Sequence, residues 1–336
     1  MKTKTAFILV VTVIAACHSP ATEFRLLSGD NTTVHSDWNA TESGNEFFVV
    51  TDGVPTKPFI STQHYLGSNS VGFTVPTDTS GNKERVEYKI LRTTDPDGLT
   101  FTNARYCGFA FMLAPSPLPF TDSSIFWQAW QGSPWGAPAS LKFGSGSSAP
   151  YLIRLNIRNA SVGPDSSVPD IQLWSNKVIN PGTWYSFVIY IQPRYDTNGN
   201  IKLWINGTNY LDWTGEIGYD PTQVTNTYAG LDIKDGIYQP DSNNGHTMYF
   251  DQVRVADTYA EACPIMPPQL TNAILTNHTW SMLVSGDAGA SYTVQSSTNL
   301  TDWTTLGATS PPVVPFHFTD NSSPAARRFY RVIAAP

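Results

Sequence analysis

Three short stretches carry the residue types best suited to chemistry. Lys234-Asp235-Gly236-Ile237-Tyr238-Gln239 sets a phenol four residues after an ammonium, with a glycine between them. A glycine inside a strand marks a close approach of another backbone or a ligand, so both side chains would meet whatever lies over it. Arg85-Val86-Glu87-Tyr88-Lys89 alternates charged and uncharged residues. The two-residue period of a strand puts Arg85, Glu87 and Lys89 on one face, and Val86 and Tyr88 on the other. Phe126-Trp127-Gln128-Ala129-Trp130-Gln131 likewise sets Gln128 beside Trp130. These types are complementary: cations and amide donors neutralise a carboxylate, a phenol protonates a departing oxygen, and an indole offers a flat apolar face. For Tyr238 also to remove a proton near neutrality, Lys234 or Arg85 has to stabilise the phenolate, because a free tyrosine ionises at about 10.

Other basic residues repeat the pattern. From Tyr151 to Arg158, Leu152, Arg154, Asn156 and Arg158 alternate with Tyr151, Ile153, Leu155 and Ile157, as in a strand with one face on a core and the other on a wet groove. Lys202, Trp204 and Asn206 form a similar stripe. Together they predict a basic, aromatic-lined cleft; the plainer alternative is a set of solvated outer strands with a core tryptophan. The net charge of −7 and pI near 5.3 argue against nucleic-acid binding, which needs a basic face. Three histidines, His35, His64 and His246, fall within residues 22–262. His64 is the preferred candidate base, because Gln63-His64-Tyr65 is polar and shortly precedes the Arg85 strand. Asp196-Thr197-Asn198-Gly199-Asn200 reads as an Asn-Gly hairpin turn before it reads as a calcium loop, since the later glutamate of such a loop is missing.

These residues need strands to position them, and the composition supplies strands. The 336 residues include 24 glycines, 25 prolines, 10 tryptophans, 15 tyrosines and 17 phenylalanines, with only 14% charged, which favours an all-β chain rich in turns. Lys2 and Lys4, the apolar run Ala6 to Ala16 and Cys17 predict a signal peptide over residues 1–17, too short to span a bilayer. Ile14-Ala15-Ala16-Cys17 resembles a bacterial lipobox, which implies a lipid anchor on Cys17; ordinary cleavage is the alternative. Either route predicts a secreted, periplasmic or cell-surface protein. Cys107 and Cys263 would then be free to pair if their Cα atoms lie within about 7 Å, or else to remain two buried thiols. Cys263-Pro-Ile-Met-Pro-Pro-Gln-Leu270 breaks regular structure, so residues 22–262 are predicted as one domain, 263–270 as a linker and 271–336 as a small β-sandwich.

The strand order, with Gly199-Asn200-Ile201-Lys202-Leu203-Trp204-Ile205-Asn206-Gly207 in particular, resembles the concanavalin-like jelly roll of heparin-lyase-like, glucuronan-lyase and family 7 alginate-lyase enzymes, over essentially all of 22–262. Arg85 to Lys89 resembles their Arg-x-Glu-Leu-Arg strand, and Lys234 to Tyr238 their Lys-Ala-Gly-x-Tyr segment with Asp235 for alanine. Gln128-Ala129-Trp130 resembles their Gln-x-His, with Trp130 in the histidine place. The resemblance implies a two-sheet sandwich that cleaves an anionic, uronic-acid polysaccharide by β-elimination, without a cofactor, although a structural calcium stays open. Tyr238 would be the general acid and a possible base, with Gln128 and Arg85 on the substrate carboxylate and His64 the spare base. Lys89, Glu87, Trp130, Arg154, Asn156, Arg158, Lys202, Trp204 and Lys234 would contact the chain of sugars. The end of the chain, from Tyr292 to Trp303 and Arg328 to Val332, resembles a fibronectin-like module of secreted bacterial proteins. The protein is expected to act as a monomer. Two other functions remain open: a non-catalytic glycan binder on the same scaffold, and a glycoside hydrolase. The second lacks paired carboxylates on one strand, Glu216 and Asp220 being poorly spaced.

Overall fold

The computed structural model describes residues 23–27, 48–52, 58–66, 68–79, 81, 83–91, 94, 98–144, 151–165, 168–239, 243–264, 268–276, 279–285, 291–309, 315–321 and 328–335. The expected signal peptide, Cys17 and His35 lie outside the described residues. Two compact units divide the chain, one spanning 21–264 and the other containing 265–336.

The first unit is a two-sheet β-jelly roll. Its first sheet runs, in spatial order, Ile171–Ile179, Tyr151–Ile157, Ala139–Phe143, Ser124–Trp130, Gly230–Gln239, Glu84–Leu91 and Phe48–Asp52, with Leu99–Thr100 paired to the start of Gly230–Gln239. The second sheet runs Thr208–Ile217, Arg194–Ile205, Tyr185–Gln192, Arg105–Leu113, His246–Ala256, Ser70–Val75 and Phe59–Ser61, and Glu23–Leu27 also pairs with His246–Ala256. All of these pairings are antiparallel.

Alternation explains the core. Phe187, Ile189 and Ile191 from one strand and Ile201, Leu203 and Ile205 from its neighbour point inward, where they meet Leu141, Ile153 and Leu155 of the first sheet. Phe109, Phe111, Phe126, Phe143, Phe187 and Phe250 join them, with Phe111 and Phe126 stacked at 4.6 Å between centroids. Each such side chain contributes roughly 1.5–3 kcal/mol on leaving water.

One strand departs from strict alternation in a way that matters for function. Phe126 and Trp127 are consecutive, yet both are buried in this core. The pairing register slips between Ile125 and Trp127 on one side, and between Asp235 and Tyr238 on the other. A bulge of this kind turns two successive side chains inward and re-aims the rest of the strand, so Gln128 and Trp130 keep the outer face.

The possible disulfide does not form. Cys107 and Cys263 are both free thiols. Cys107 points into the inter-sheet core, whereas Cys263 follows the short helix Tyr259–Ala262 and packs with Tyr106, Trp204 and Tyr259 in a separate cluster. Cys107 thus faces the inter-sheet core, while Cys263 packs on Tyr106 and Trp204, which face the other way on the second sheet.

Asp235 is a polar residue on the inward face, paired in register with Tyr88 and Trp127. Its Oδ1 has no hydrogen-bond partner among the described residues. Burial, reinforced by the nearby Glu87, pushes its carboxyl well above the usual carboxylate range. The unfolded chain releases this proton from about pH 4 upward while the folded chain holds it, so the residue costs stability as pH rises toward its folded value. Asp235→Asn, neutral at every pH, is expected to match the parent near pH 4. By pH 6 it should unfold at a higher temperature than the parent. A melting-temperature difference that stays flat over this window would show that Asp235 ionises freely in the fold.

The second unit contains two three-stranded sheets, one of Gln269–Thr276, Thr279–Ser285 and Phe316–Asp320, the other of Thr304–Thr309, Ser291–Ser297 and Phe329–Ala335. Asp320 is buried there and accepts from Arg328 and from the Tyr330 hydroxyl.

Candidate active site

The central strand Gly230–Gln239 lies between Ser124–Trp130 and Glu84–Leu91, so the three chemistry-bearing stretches become neighbours in one sheet. Registration then fixes who faces whom. Tyr238 stands opposite Arg85 on one side and Ile125 on the other, and that row continues through Lys142 to Arg154. Lys234 stands opposite Lys89 and Gln128, and its row continues through Ser140 to Asn156. Between the rows Gly236 pairs with Glu87. Adjacent strands are about 4.8 Å apart, so each row runs across the sheet as a line of outward side chains.

Gly236 permits this close pairing. Its φ is +139°, and a Cβ there would collide with Val86 O and lie 2.7 Å from Glu87 Cα. Only glycine tolerates both conditions at this point.

The site has two layers. Arg85, Lys89, Trp130 and Tyr238 are half-buried, whereas Glu87, Gln128, Asp232 and Lys234 are buried beneath them. In the upper layer, Arg85 Cζ lies 5.7 Å from the Tyr238 ring centroid and Lys89 Nζ lies 5.3 Å from that of Trp130. The indole of Trp130 donates to Trp135 O at 3.3 Å and meets Tyr228 edge to face. In the lower layer, Gln128 Nε2 donates to Glu87 Oε1 at 2.5 Å. Lys89 joins the layers through its 3.0 Å ion pair with Asp232. A buried amide tied to a carboxylate cannot turn freely, so Glu87 sets the plane of Gln128 and leaves the second Nε2 hydrogen for another acceptor.

Several residues expected to contact substrate are elsewhere or otherwise engaged. Lys202 and Trp204 belong to the second sheet, where Lys202 pairs with Asp212 at 2.9 Å and Trp204 packs on Tyr106 and Tyr259. They cannot line the face that carries Tyr238. Their stripe is polar and aromatic because it is the outer face of that other sheet. Arg158 is buried, and its guanidinium donates to the carbonyls of Gly163, Asp165 and Val168, which makes it a clamp on that loop. Asn156 is also buried and donates to Asp170, which Lys142 holds as an ion pair at 2.7 Å. Arg154 stays half-buried at the end of the Tyr238 row. Lys142, in that same row, is a cation that sequence reasoning misses, although Ser140 and Lys142 alternate with the buried Leu141 and Phe143.

The spare histidines sit badly for a base. His64 is exposed in the segment joining Phe59–Ser61 to Ser70–Val75, two strands of the second sheet, and its Nδ1 donates to Thr62 O at 2.9 Å. His246 is buried and stacked on Phe120 at 3.8 Å between centroids. Gln239 donates to its Nδ1 while its Nε2 donates to Leu118 O, and burial pushes it down to about 4.

A family model described as polysaccharide lyase matches residues 20–254. The chain belongs to that polysaccharide lyase family. This lyase shares its fold with an endo-β-1,4-glucuronan lyase from the fungus Trichoderma reesei, at 15% identity and a TM-score of 0.52, covering 72% of this chain and 99% of that one. An alginate lyase from Pseudomonas aeruginosa matches at 18% identity and a TM-score of 0.38, covering 56% and 83% of the two chains. One from Aplysia kurodai matches at 9% identity and a TM-score of 0.41, covering 60% and 87%. No curated protein matches the chain in sequence.

Proposed function

We propose that this lyase cleaves a uronate-containing polysaccharide by β-elimination on the face that carries Tyr238. The observation that carries the reading is the pairing of Tyr238 with Arg85 in one row, beside a Gln128 amide already oriented by Glu87. Elimination asks three things: neutralise the uronate carboxylate so that the C5 proton becomes acidic, remove that proton, and protonate the departing O4. Arg85 and Gln128 supply the first, and Tyr238 supplies the third. Tyr238 also takes the C5 proton as phenolate, with the Arg85 guanidinium 5.7 Å from its ring centroid. Arg154, half-buried along the same row, suits a further carboxylate of a polyanionic chain. Trp130 offers its ring to a sugar face. Lys2, Lys4, the apolar run and Cys17 support export to the cell surface or beyond, where such polymers are met.

The test is a panel of glucuronan, polymannuronate, polyguluronate and a heparin-like glycan, monitored by the ultraviolet absorbance of the unsaturated product. Glucuronan leads the panel because the Trichoderma reesei enzyme of this fold acts on it. Growth of absorbance supports the reading; chain binding without it would favour the non-catalytic glycan binder. Arg85→Ala is expected to raise KM and lower kcat together, cutting kcat/KM by roughly 10–100-fold, the worth of a charge-assisted hydrogen bond. A change confined to KM would mean that Arg85 holds the chain without aiding the chemistry.

A further inference from the structure

Lys234 projects from the middle of the central strand, between Gln128 and Lys89, and is 1% exposed. Its Nζ lies 3.9 Å from the ring centroid of Trp130. Among the described residues no carboxylate makes an ion pair with it; Asp232, two residues earlier, is paired with Lys89 instead. An ammonium this buried, with no carboxylate in direct ion-pair contact, is a costly arrangement. The surface it rests on is the electron-rich face of an indole, the strongest aromatic partner for a cation.

We propose that Lys234 is a positioning residue: its ammonium, held against the indole, fixes Trp130 above the Gln128 and Glu87 pair, and the site reaches its full rate only while that ammonium is charged. This rests on the uronate-lyase reading for its catalytic consequence. The charged groups that bear on Lys234 are Asp232 from its own strand and Arg85, Glu87 and Lys89 from Glu84–Leu91, while Ser124–Trp130 presents the uncharged Gln128 and Trp130. Burial pushes the ammonium down to about 8; Glu87 and Asp232 oppose this, and Arg85 and Lys89 add to it. Below that pH the attraction between ammonium and indole is intact. Above it Trp130 loses this attraction, keeping only its contacts with Trp135, Tyr228 and Lys89, and Glu87 loses a compensating cation. Lysine suits this role better than arginine, because its compact charge titrates on burial while a guanidinium stays charged.

The experiment measures kcat/KM from about pH 6 to 10 on the polyuronate cleaved, together with a ¹³C NMR titration of Cε-labelled lysines, in the parent, Lys234→Arg, Lys234→Met and Trp130→Ala. The parent should lose activity above a midpoint near 8, with one lysine resonance titrating there. Lys234→Arg should lack that resonance and keep its activity well past that pH. Lys234→Met should be about tenfold slower at neutral pH, without the limb. Trp130→Ala, which opens Nζ to water, should move the resonance toward the ordinary lysine value. An alkaline limb near 8 that survives in Lys234→Arg overturns the proposal, and so does a parent with no lysine titrating below about 9. A parent that yields no unsaturated product at any pH overturns the lyase reading instead, and the resonance, with its response to Trp130→Ala, then decides whether Lys234 is held by the indole.

Discussion

Tyr238→Phe is expected to lose about 10²–10⁴-fold in kcat while KM stays nearly unchanged. Only a hydroxyl is removed, and the half-buried ring still fills its place opposite Arg85 and Ile125. The guanidinium over that ring keeps its partner, so the carboxylate-binding cations are undisturbed. What disappears is proton donation to O4, together with the phenolate that takes the C5 proton. Both act in the transition state, which is why the loss falls on turnover. The checking measurement is initial rates of unsaturated-product formation over a range of substrate concentrations. Parent-like turnover in Tyr238→Phe would remove the central residue of the mechanism.

Gly236→Ala should be the most damaging substitution for the fold of the site. The added methyl must move against Val86 O and Glu87 Cα, which are backbone atoms of the paired strand and cannot swing aside. The positive φ adds strain for any L side chain. Strain and overpacking together cost about 3–5 kcal/mol, equivalent to a melting temperature lower by roughly 10 °C for a unit of this size. The damage is also local: prising this strand pair apart separates Tyr238 from Arg85 and shifts Glu87 away from Gln128. Thermal unfolding and residual activity of the same preparation test both halves. A variant with parent-like stability would mean that the strands can separate there without penalty, and the tight pairing would then not be what holds the two layers together.

Much of this site was legible from residue order, because a strand reports its own two-residue period without help from the rest of the chain. Arg85, Glu87 and Lys89 were assignable to one face, as were Gln128 and Trp130, and Lys234 and Tyr238. A strict two-residue period also breaks at Phe126, where a bulge put consecutive aromatic residues into the core. It also could not rank depth. Gln128, Glu87 and Lys234 share a face with Arg85, Trp130 and Tyr238 but lie beneath them, since depth depends on the length of side chains arriving from neighbouring strands.

The sequence by itself determined an all-β chain, the parity of each strand and the residue types able to serve elimination, all of which depend on local geometry and composition. Tertiary structure alone decided which sheet each strand joined. Lys202 and Trp204 read like cleft residues because both sheets of a sandwich alternate in the same way, and only non-local pairing assigns a strand to one or the other. Tertiary structure also decided that Arg158 clamps a loop, that Cys107 and Cys263 stay apart, and that Lys234 rests on Trp130. Each of these is a contact between residues distant in the chain or on facing strands, and a period-two pattern carries no information about the partner across the gap.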